Sequence, residues 1–132
     1  IVFRGPNAVP VFIAEETSHG FNFPKQLGVN RGKRHGDTVF DGSQQETKVY
    51  AGDIAVTASD GVLDNLHVKD MADIVRQSKG DTRKAARDLV IAAGESALGL
   101  RSSAHVKGQW GEGDGVGGKP DDITVLVSKF SA

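Results

Sequence analysis

Short segments of alternating apolar and polar residues predict strands at both ends of the chain. Ile1 to Arg4 and Val9 to Ala14 are rich in β-branched and aromatic residues, and a turn sequence, Gly5-Pro6-Asn7, separates them. We expect these two segments to form a hairpin. Asp53 to Ser59 and Ile123 to Phe130 also alternate, and the first of these has small residues on its second face. That pattern favours a strand that is covered on both sides.

Apolar positions three and four residues apart replace this alternation after Ser59 and predict two helices. The first should run from about His67 to Lys79 and end at Gly80. The second should run from Thr82 to Leu98, with Asp81 as its N-terminal cap. Its apolar face contains many small residues, which favour close packing against a neighbouring element.

Two further segments, residues 28–46 and 101–118, lack a clear period and are expected to be irregular loops. Gly, Asn and His accumulate in the first, and the second ends in a glycine-rich stretch that is too flexible for the interior of an element. Thr47 to Tyr50 is a candidate for one more short strand. The pattern as a whole predicts helices and strands within a single domain, residues 1–132.

The charge balance and the lack of cysteine narrow the functional classes. The chain has 16 Lys and Arg and 17 Asp and Glu residues, a formal net charge of −1, so its overall charge favours neither nucleic acid nor acidic lipid as a partner. Its longest apolar run, Ala8 to Ala14, falls far short of the ~20 residues that span a bilayer, and we expect a soluble protein. The absence of Cys is compatible with an intracellular compartment and leaves oxygen or His as the possible metal ligands.

Two aspartates at the ends of predicted strands are the strongest candidates for chemistry. Asp60 follows one apolar strand and Asp121 precedes another. If these strands are antiparallel neighbours, both carboxylates lie at the same edge of the sheet, where they could bind a hard divalent cation. Considered alone, Asp60 followed by Gly61 is more often a simple turn, because Asp bonds its own backbone and Gly accepts positive φ.

The sequence motifs around these aspartates resemble those of a known protein family. The segment from Gly52 to Leu66, GDIAVTASDGVLDNL, and the segment from Gly117 to Val125, GGKPDDITV, are similar to the C-terminal signature of the metal-dependent protein phosphatases of type 2C. Residues 21–27, FNFPKQL, also have a counterpart in the mitochondrial and T-cell-activation-type subgroup. The family's N-terminal part, with its own Asp-Gly ligand, a phosphate-binding Arg and a His, has no counterpart, so we expect a C-terminal fragment.

The resemblance implies a fold, an activity and a set of ligands. The fold would be α+β, the C-terminal portion of a two-sheet β-sandwich flanked by helices, and residues 1–132 would form a single partial phosphatase domain. The parent enzyme would hydrolyse phosphoserine and phosphothreonine on proteins with two or more Mn²⁺ or Mg²⁺ ions. Asp60 and Asp121 would bind one metal of a dinuclear site and Asp64 a weaker third ion, while Asp122, on the opposite face of its strand from Asp121, is not assigned. No catalytic residue is assigned to this segment, and the segment alone is expected to be inactive.

The resemblance also implies partners and leaves one alternative open. The partners would be a phosphoprotein substrate and the missing N-terminal half of the domain, without nucleic acid or membrane. The compartment would be cytoplasmic or, as in many members of the subgroup, mitochondrial or plastid. The alternative is a pseudophosphatase of the same fold, which binds a phosphoprotein or acts as a scaffold without hydrolysis.

Other motif matches have a simpler interpretation. Residues 113–118 satisfy Gly-x-Gly-x-x-Gly, but this stretch leads into a strand and not a helix, so it does not indicate a dinucleotide site. Asp114 within it is at best a weak candidate ligand. A small basic cluster could dock a phosphorylated segment, although a solvated loop is the more common outcome. Its members are Arg31, Lys33, Arg34 and His35.

Overall fold

The computed structural model describes residues 1–20, 23–30, 33–34, 36–100 and 118–132. Within these ranges the chain divides into two compact units, one formed by Ile1–Phe12 with Val49–Ala132 and the other by Ile13–Lys48. The single-domain organisation expected from the sequence stays a prediction. Several features noted in the sequence lie outside the described residues. They are the motif residues Phe21 and Asn22, the basic residues Arg31 and His35, and residues 101–117 of the second predicted loop, with its glycine-rich stretch and Asp114.

The longer helices and strands follow the predicted periods closely, whereas residues 28–46, expected to be an irregular loop, contain two short strands at Val29–Asn30 and Lys33–Arg34 and a 3-10 turn at Val39–Asp41. No strand forms from Thr47 to Tyr50, so that prediction was wrong. A single helical turn follows Ser59, at the position where the sequence suggested a simple Asp-Gly turn. In chain order the elements are β1 Val2–Arg4, β2 Val9–Phe12, β3 Ser18–Gly20, β4 Phe23–Pro24, β5 Val29–Asn30, β6 Lys33–Arg34, β7 Ile54–Ala58, α1 Asp60–Leu63, α2 Val68–Gln77, α3 Thr82–Ala97 and β8 Val125–Lys129, with a 3-10 turn at Val39–Asp41.

The first unit is built on a four-stranded sheet with the order β2-β1-β7-β8. Each neighbouring pair is antiparallel, including the predicted hairpin of β1 and β2. Ala58 at the end of β7 pairs with Val125 at the start of β8. The antiparallel arrangement expected for the strands next to Asp60 and Asp121 is therefore confirmed.

The helices cover one face of this sheet and form the core with it. Phe3, Val56 and Leu89 are buried at this contact, with exposures of 2% or less. Burying one such side chain contributes about 1.5–3 kcal/mol relative to leaving it exposed. Thr57 on the other face of β7 is exposed, so the coverage of both faces predicted for this strand is not seen among the described residues.

Local signals set the boundaries of the two long helices. Lys79 and Gly80 have positive φ values of 52° and 85°, and this left-handed backbone ends α2. The Asp81 side chain accepts a hydrogen bond of 2.9 Å from the Lys84 backbone N–H and caps α3, as the sequence predicts.

The second unit consists of two short hairpins and the 3-10 turn. β3 pairs with β4 and β5 pairs with β6, both antiparallel. Thr38 caps the 3-10 turn, and its backbone N–H donates to the Asp41 carboxylate at 2.8 Å. That backbone hydrogen bond and the Thr38 hydroxyl hold the pKa of Asp41 below its usual value. Among the described residues no helix is both long and apolar enough to cross a membrane.

Candidate metal centre

The candidate site lies at the junction between the end of β7 and the segment that leads into β8. Ser59 lies at this junction and makes three hydrogen bonds of 3.0 Å across it. Its backbone N–H donates to the Thr124 carbonyl, its hydroxyl donates to the Asp122 carbonyl, and the same hydroxyl accepts from the Thr124 N–H. These bonds extend the sheet pairing past the last strand residues. They hold the backbone next to Asp60 against the backbone next to Asp121.

Gly61 allows these two segments to come so close. A Cβ atom built on Gly61 would lie 2.3 Å from the Asp122 carbonyl oxygen and 3.4 Å from the Asp121 Cβ. The first distance is too short for any side chain. Gly61 is part of helix α1 and does not adopt positive φ, so glycine is required here by the close approach and not by backbone conformation.

Asn65 fixes the second segment from the other side. Its side chain is completely buried, and its amide nitrogen donates to the carbonyl oxygens of Gly61 at 2.9 Å and Lys119 at 2.8 Å. Its amide oxygen accepts from the Lys119 N–H at 2.9 Å. Gly118 makes room for this contact, since a Cβ there would lie 2.1 Å from the Asn65 amide oxygen. Asn65 thereby joins the turn after β7 to the segment before β8.

The result is a cluster of three carboxylates around one ammonium group. Lys119 Nζ lies 2.9 Å from Asp60 Oδ2, 2.8 Å from Asp64 Oδ2 and 3.3 Å from Asp121 Oδ2. The Lys119 side chain is only 7% exposed, whereas Asp60 is 57% exposed. All three carboxylates that the sequence proposed as ligands therefore meet at one point, and that point holds a cation.

The charges of this cluster are strongly coupled. Burial lowers the pKa of Lys119, but hydrogen bonds to Asp64, Asp60 and Asp121 outweigh burial and raise the pKa above its ordinary value. The hydrogen bond from Lys119 in turn holds the pKa of Asp60 below its usual range. Three carboxylates against one ammonium leave two excess negative charges when all four groups are ionised.

The residue types fit a hard divalent ion, although the distances fit the ammonium. Carboxylate oxygens are the ligands that Mg²⁺ prefers, at about 2.0–2.1 Å. Across the described ranges, no group of three or more His, Asp or Glu side chains is already arranged to hold a metal. A metal at this point would require the carboxylates to move inward and the Lys119 ammonium to move away.

Sequence reasoning named the three aspartates but missed the two residues that organise them. Lys119 lies inside the motif GGKPDDITV, two positions before Asp121, where a lysine could be recognised as a neighbour of acidic groups. Asn65 lies directly after Asp64, between the apolar residues of a buried turn. A polar amide in such a turn signals a buried residue with several backbone partners.

Comparisons with known proteins find similarity to protein phosphatases. No family model matches the chain. The protein phosphatase PTC7 homolog fig of Drosophila virilis is 31% identical over 129 residues, which cover 89% of this chain and 41% of the relative. "Probable protein phosphatase 2C 71" of Oryza sativa subsp. japonica is 35% identical over 117 residues, covering 83% of this chain and 24% of that protein. The X-ray structure of the photosystem II phosphatase PBCP matches with a TM-score of 0.79 and 26% identity, covering 98% of this chain and 54% of that one.

Over most of its length the chain is similar in sequence and in fold to protein phosphatases of type 2C. The resemblance read from the two motifs is thus confirmed, and so is the α+β fold class, since a type 2C fold superposes on nearly the whole chain. The type 2C phosphatases are metal-dependent enzymes. The chain spans about two fifths of the length of the first curated relatives, for which the covered share is 41% to 46%. The roles of Asp60, Asp64 and Asp121 as metal ligands stay predictions.

Proposed function

We propose that this chain is part of a protein phosphatase that hydrolyses phosphoserine and phosphothreonine on proteins with Mn²⁺ or Mg²⁺. Asp60 and Asp121 would bind one ion of a dinuclear site, and Asp64 would bind a weaker third ion. The observation that carries the proposal is the convergence of these three carboxylates around the Lys119 ammonium, at the junction between the end of β7 and the segment before β8. The similarity to type 2C phosphatases supports the reaction type.

The chain's own contribution to the chemistry is a rigid set of oxygen ligands. A pair of bound metal ions would supply an attacking hydroxide and neutralise the phosphoryl oxygens. Asp60 and Asp121 would hold one of these ions, and Asn65 would keep the two carboxylates at a fixed separation through its bonds to Gly61 and Lys119. We assign no nucleophile, acid or base to this chain, so the segment alone would be inactive.

The remaining functional groups would come from outside the chain. The relatives are more than twice as long, and the rest of such a protein would supply the other metal ligands and the groups that bind phosphate. The partners would be a phosphoprotein substrate and that N-terminal part of the domain. We further propose a cytoplasmic or organellar protein, mitochondrial or plastid, that uses neither nucleic acid nor membrane as a partner.

The direct test is Mn²⁺-dependent hydrolysis of a phosphothreonine peptide by the full-length protein. Asp60→Asn and Asp121→Asn should each abolish most of the activity, because each removes a charged ligand. Asp73→Asn is a matched control, since Asp73 is a half-exposed carboxylate on α2 that pairs only with Arg76 among the ion pairs of the described residues. Equal activity of Asp60→Asn and Asp73→Asn would contradict the proposal.

One observation favours a second candidate, the non-catalytic pseudophosphatase. The Lys119 ammonium lies between the carboxylates that would hold the metal ions. A protein in which lysine stays there permanently would bind phosphoproteins without hydrolysing them. Full-length protein that binds a phosphothreonine peptide but shows no turnover at saturating Mn²⁺ would establish this alternative.

A further inference from the structure

We propose that Lys119 is the resident cation of the three carboxylates, which holds them together without metal and competes with a metal ion for them. This inference rests on the proposed function, because it assigns a regulating residue to the same site. Lys119 would withdraw when the metal binds and would thereby set the metal concentration at which the site fills.

The number of hydrogen bonds is the first argument. An ammonium group has three N–H donors and no acceptor. Lys119 Nζ has three carboxylate oxygens within 2.8–3.3 Å, from Asp60, Asp64 and Asp121. The contacts to Asp60 and Asp64 are hydrogen bonds and the contact to Asp121 at 3.3 Å is an ion pair, so the three N–H donors face three charged acceptors, and the cluster keeps an excess of negative charge. The side chain is 7% exposed, so solvent does little to replace these contacts.

Mutual exclusion is the second argument. A divalent ion bound to the same carboxylate oxygens would lie at about 2.0–2.6 Å from them. The ammonium already lies 2.8–3.3 Å from those oxygens, so the two cations would overlap and repel each other. The carboxylates can therefore bind either the ammonium or the divalent ion fully, but not both at once.

The backbone around Lys119 is the third argument. Asn65 binds both the N–H and the carbonyl of Lys119, and Gly118 packs against Asn65 and the Ser96 carbonyl. The peptide is thus fixed while the side chain has four flexible carbons. Withdrawal of the ammonium needs only rotations within the side chain. The carboxylates would keep their backbone positions during the exchange.

Competition predicts two opposite effects of removing the charge. Without metal, three carboxylates with no cation repel one another, so the protein should become less stable. With metal, no ammonium has to be displaced, so the affinity should increase. A residue with a purely structural role would lower stability and affinity together.

The test uses Lys119→Met in the full 132-residue chain and in the full-length protein, with Mn²⁺ alone as the probe. We expect the dissociation constant for Mn²⁺, measured by calorimetry, to fall about tenfold or more, the scale on which groups next to metal ligands act. The melting temperature in chelator should fall. Lys119→Arg, which keeps the charge, should not tighten binding. Lys84→Met is the matched control, because Lys84 pairs with Asp88 on α3 outside the site.

The outcomes separate this inference from the proposed function. If Asp60→Asn and Asp121→Asn weaken Mn²⁺ binding but Lys119→Met does not tighten it, the competition is refuted and the metal site stands. If the two aspartate variants bind Mn²⁺ as well as the wild type, the site itself is refuted.

A second measurement covers the case in which Lys119→Met does not fold. Side-chain ¹⁵N NMR of the wild-type protein can follow the Lys119 ammonium during a Mg²⁺ titration. We expect its protons to exchange slowly in chelator and rapidly at saturating Mg²⁺. An ammonium signal that keeps its position and slow exchange while Mg²⁺ binds would overturn the inference.

Discussion

The two ends of strand β7 each bury a charged group, and they do so in different ways. Before the strand, Asp53 is 2% exposed and accepts hydrogen bonds from Arg4 Nε at 2.9 Å and Arg4 Nη2 at 2.7 Å. The Tyr50 N–H donates a further hydrogen bond to Asp53 at 2.9 Å, and the Arg4 guanidinium lies 4.5 Å from the centre of the Tyr50 ring. After the strand, Lys119 is buried among three carboxylates.

The difference between these ends lies in their charge balance. One carboxylate against one bidentate guanidinium is neutral, and such a pair fits structural support between β1 and β7. Three carboxylates against one ammonium carry excess negative charge, which favours a cation of higher charge. The comparison shows that the functional end of a strand can be recognised by the mismatch in its ion pairs and not by burial alone.

The largest expected effect on stability comes from a substitution in the hydrophobic core, which supports both ends of β7. Leu89 on α3 is fully buried. Leu89→Ala should lower the free energy of unfolding by about 2–5 kcal/mol, the usual range for this change in a packed core. Urea denaturation measures it. A loss well under 1 kcal/mol would mean that α3 does not pack against the sheet as described.

The next prediction distinguishes the two ends of β7 by their effect on Mn²⁺ affinity. Asp60→Asn should raise the dissociation constant for Mn²⁺ by on the order of 100-fold, because even groups that only orient metal ligands cost about 10- to 100-fold when removed. Asp53→Asn should leave that constant unchanged, since Asp53 is bound to Arg4 at the opposite end of β7. Calorimetric titration of both variants decides the point. Equal loss in the two variants would abolish the distinction between the ends.

The third prediction concerns the pH dependence of stability at the Asp53 end of β7, where the charges of Asp53 and Arg4 balance. The hydrogen bond from Arg4 holds the pKa of Asp53 below its unfolded value of about 3.9. The unfolded chain binds more protons between the two pKa values, so this pair stabilises the fold fully above about pH 4 and the contribution is lost as the pH falls through the folded pKa.

Urea midpoints measured from pH 7 down to pH 2.5 test this expectation. Asp53→Asn should flatten the acid part of the profile, and Arg4→Met should flatten it in the same way. The double variant should add nothing further, because the two groups form one pair. A profile of Asp53→Asn as steep as that of the wild type would assign the acid sensitivity to other carboxylates.

The smallest effect concerns the backbone junction at the functional end. Ser59→Ala removes the hydroxyl that binds the Asp122 carbonyl and the Thr124 N–H. We expect a loss of about 1 kcal/mol in the free energy of unfolding, the usual contribution of such bonds. Mn²⁺ affinity should fall slightly with it. A large loss of affinity without loss of stability would place Ser59 among the ligands.

Much of the fold could be predicted because its signals are local. The periods of α2, α3, β7 and β8 follow from neighbouring residues, and Gly80 and Asp81 mark a helix end and a helix start. The meeting of Asp60 and Asp121 also followed from antiparallel pairing. Thr47 to Tyr50 has strand-forming residues but no strand, since propensity without a pairing partner does not make a ladder.

The organising residues of the site could not be predicted because their partners are distant in the chain. Lys119 and Asn65 act across separations of 59 and 54 positions. Periodicity says nothing about which backbone groups a buried amide will bind, or which carboxylates a lysine will reach. These contacts depend on the packed arrangement of α1 and the segment before β8, which only the folded structure supplies.

The pairing of β7 with β8 has a consequence for the order of events in folding. Because Lys119 and Asp60 are 59 positions apart, their meeting requires the closure of a long loop, which comes at a cost in chain entropy. Local helices such as α3 can form before that closure, whereas the carboxylate cluster exists only once β8 has joined the sheet. We therefore expect added Mn²⁺ to slow unfolding while leaving the folding rate nearly unchanged.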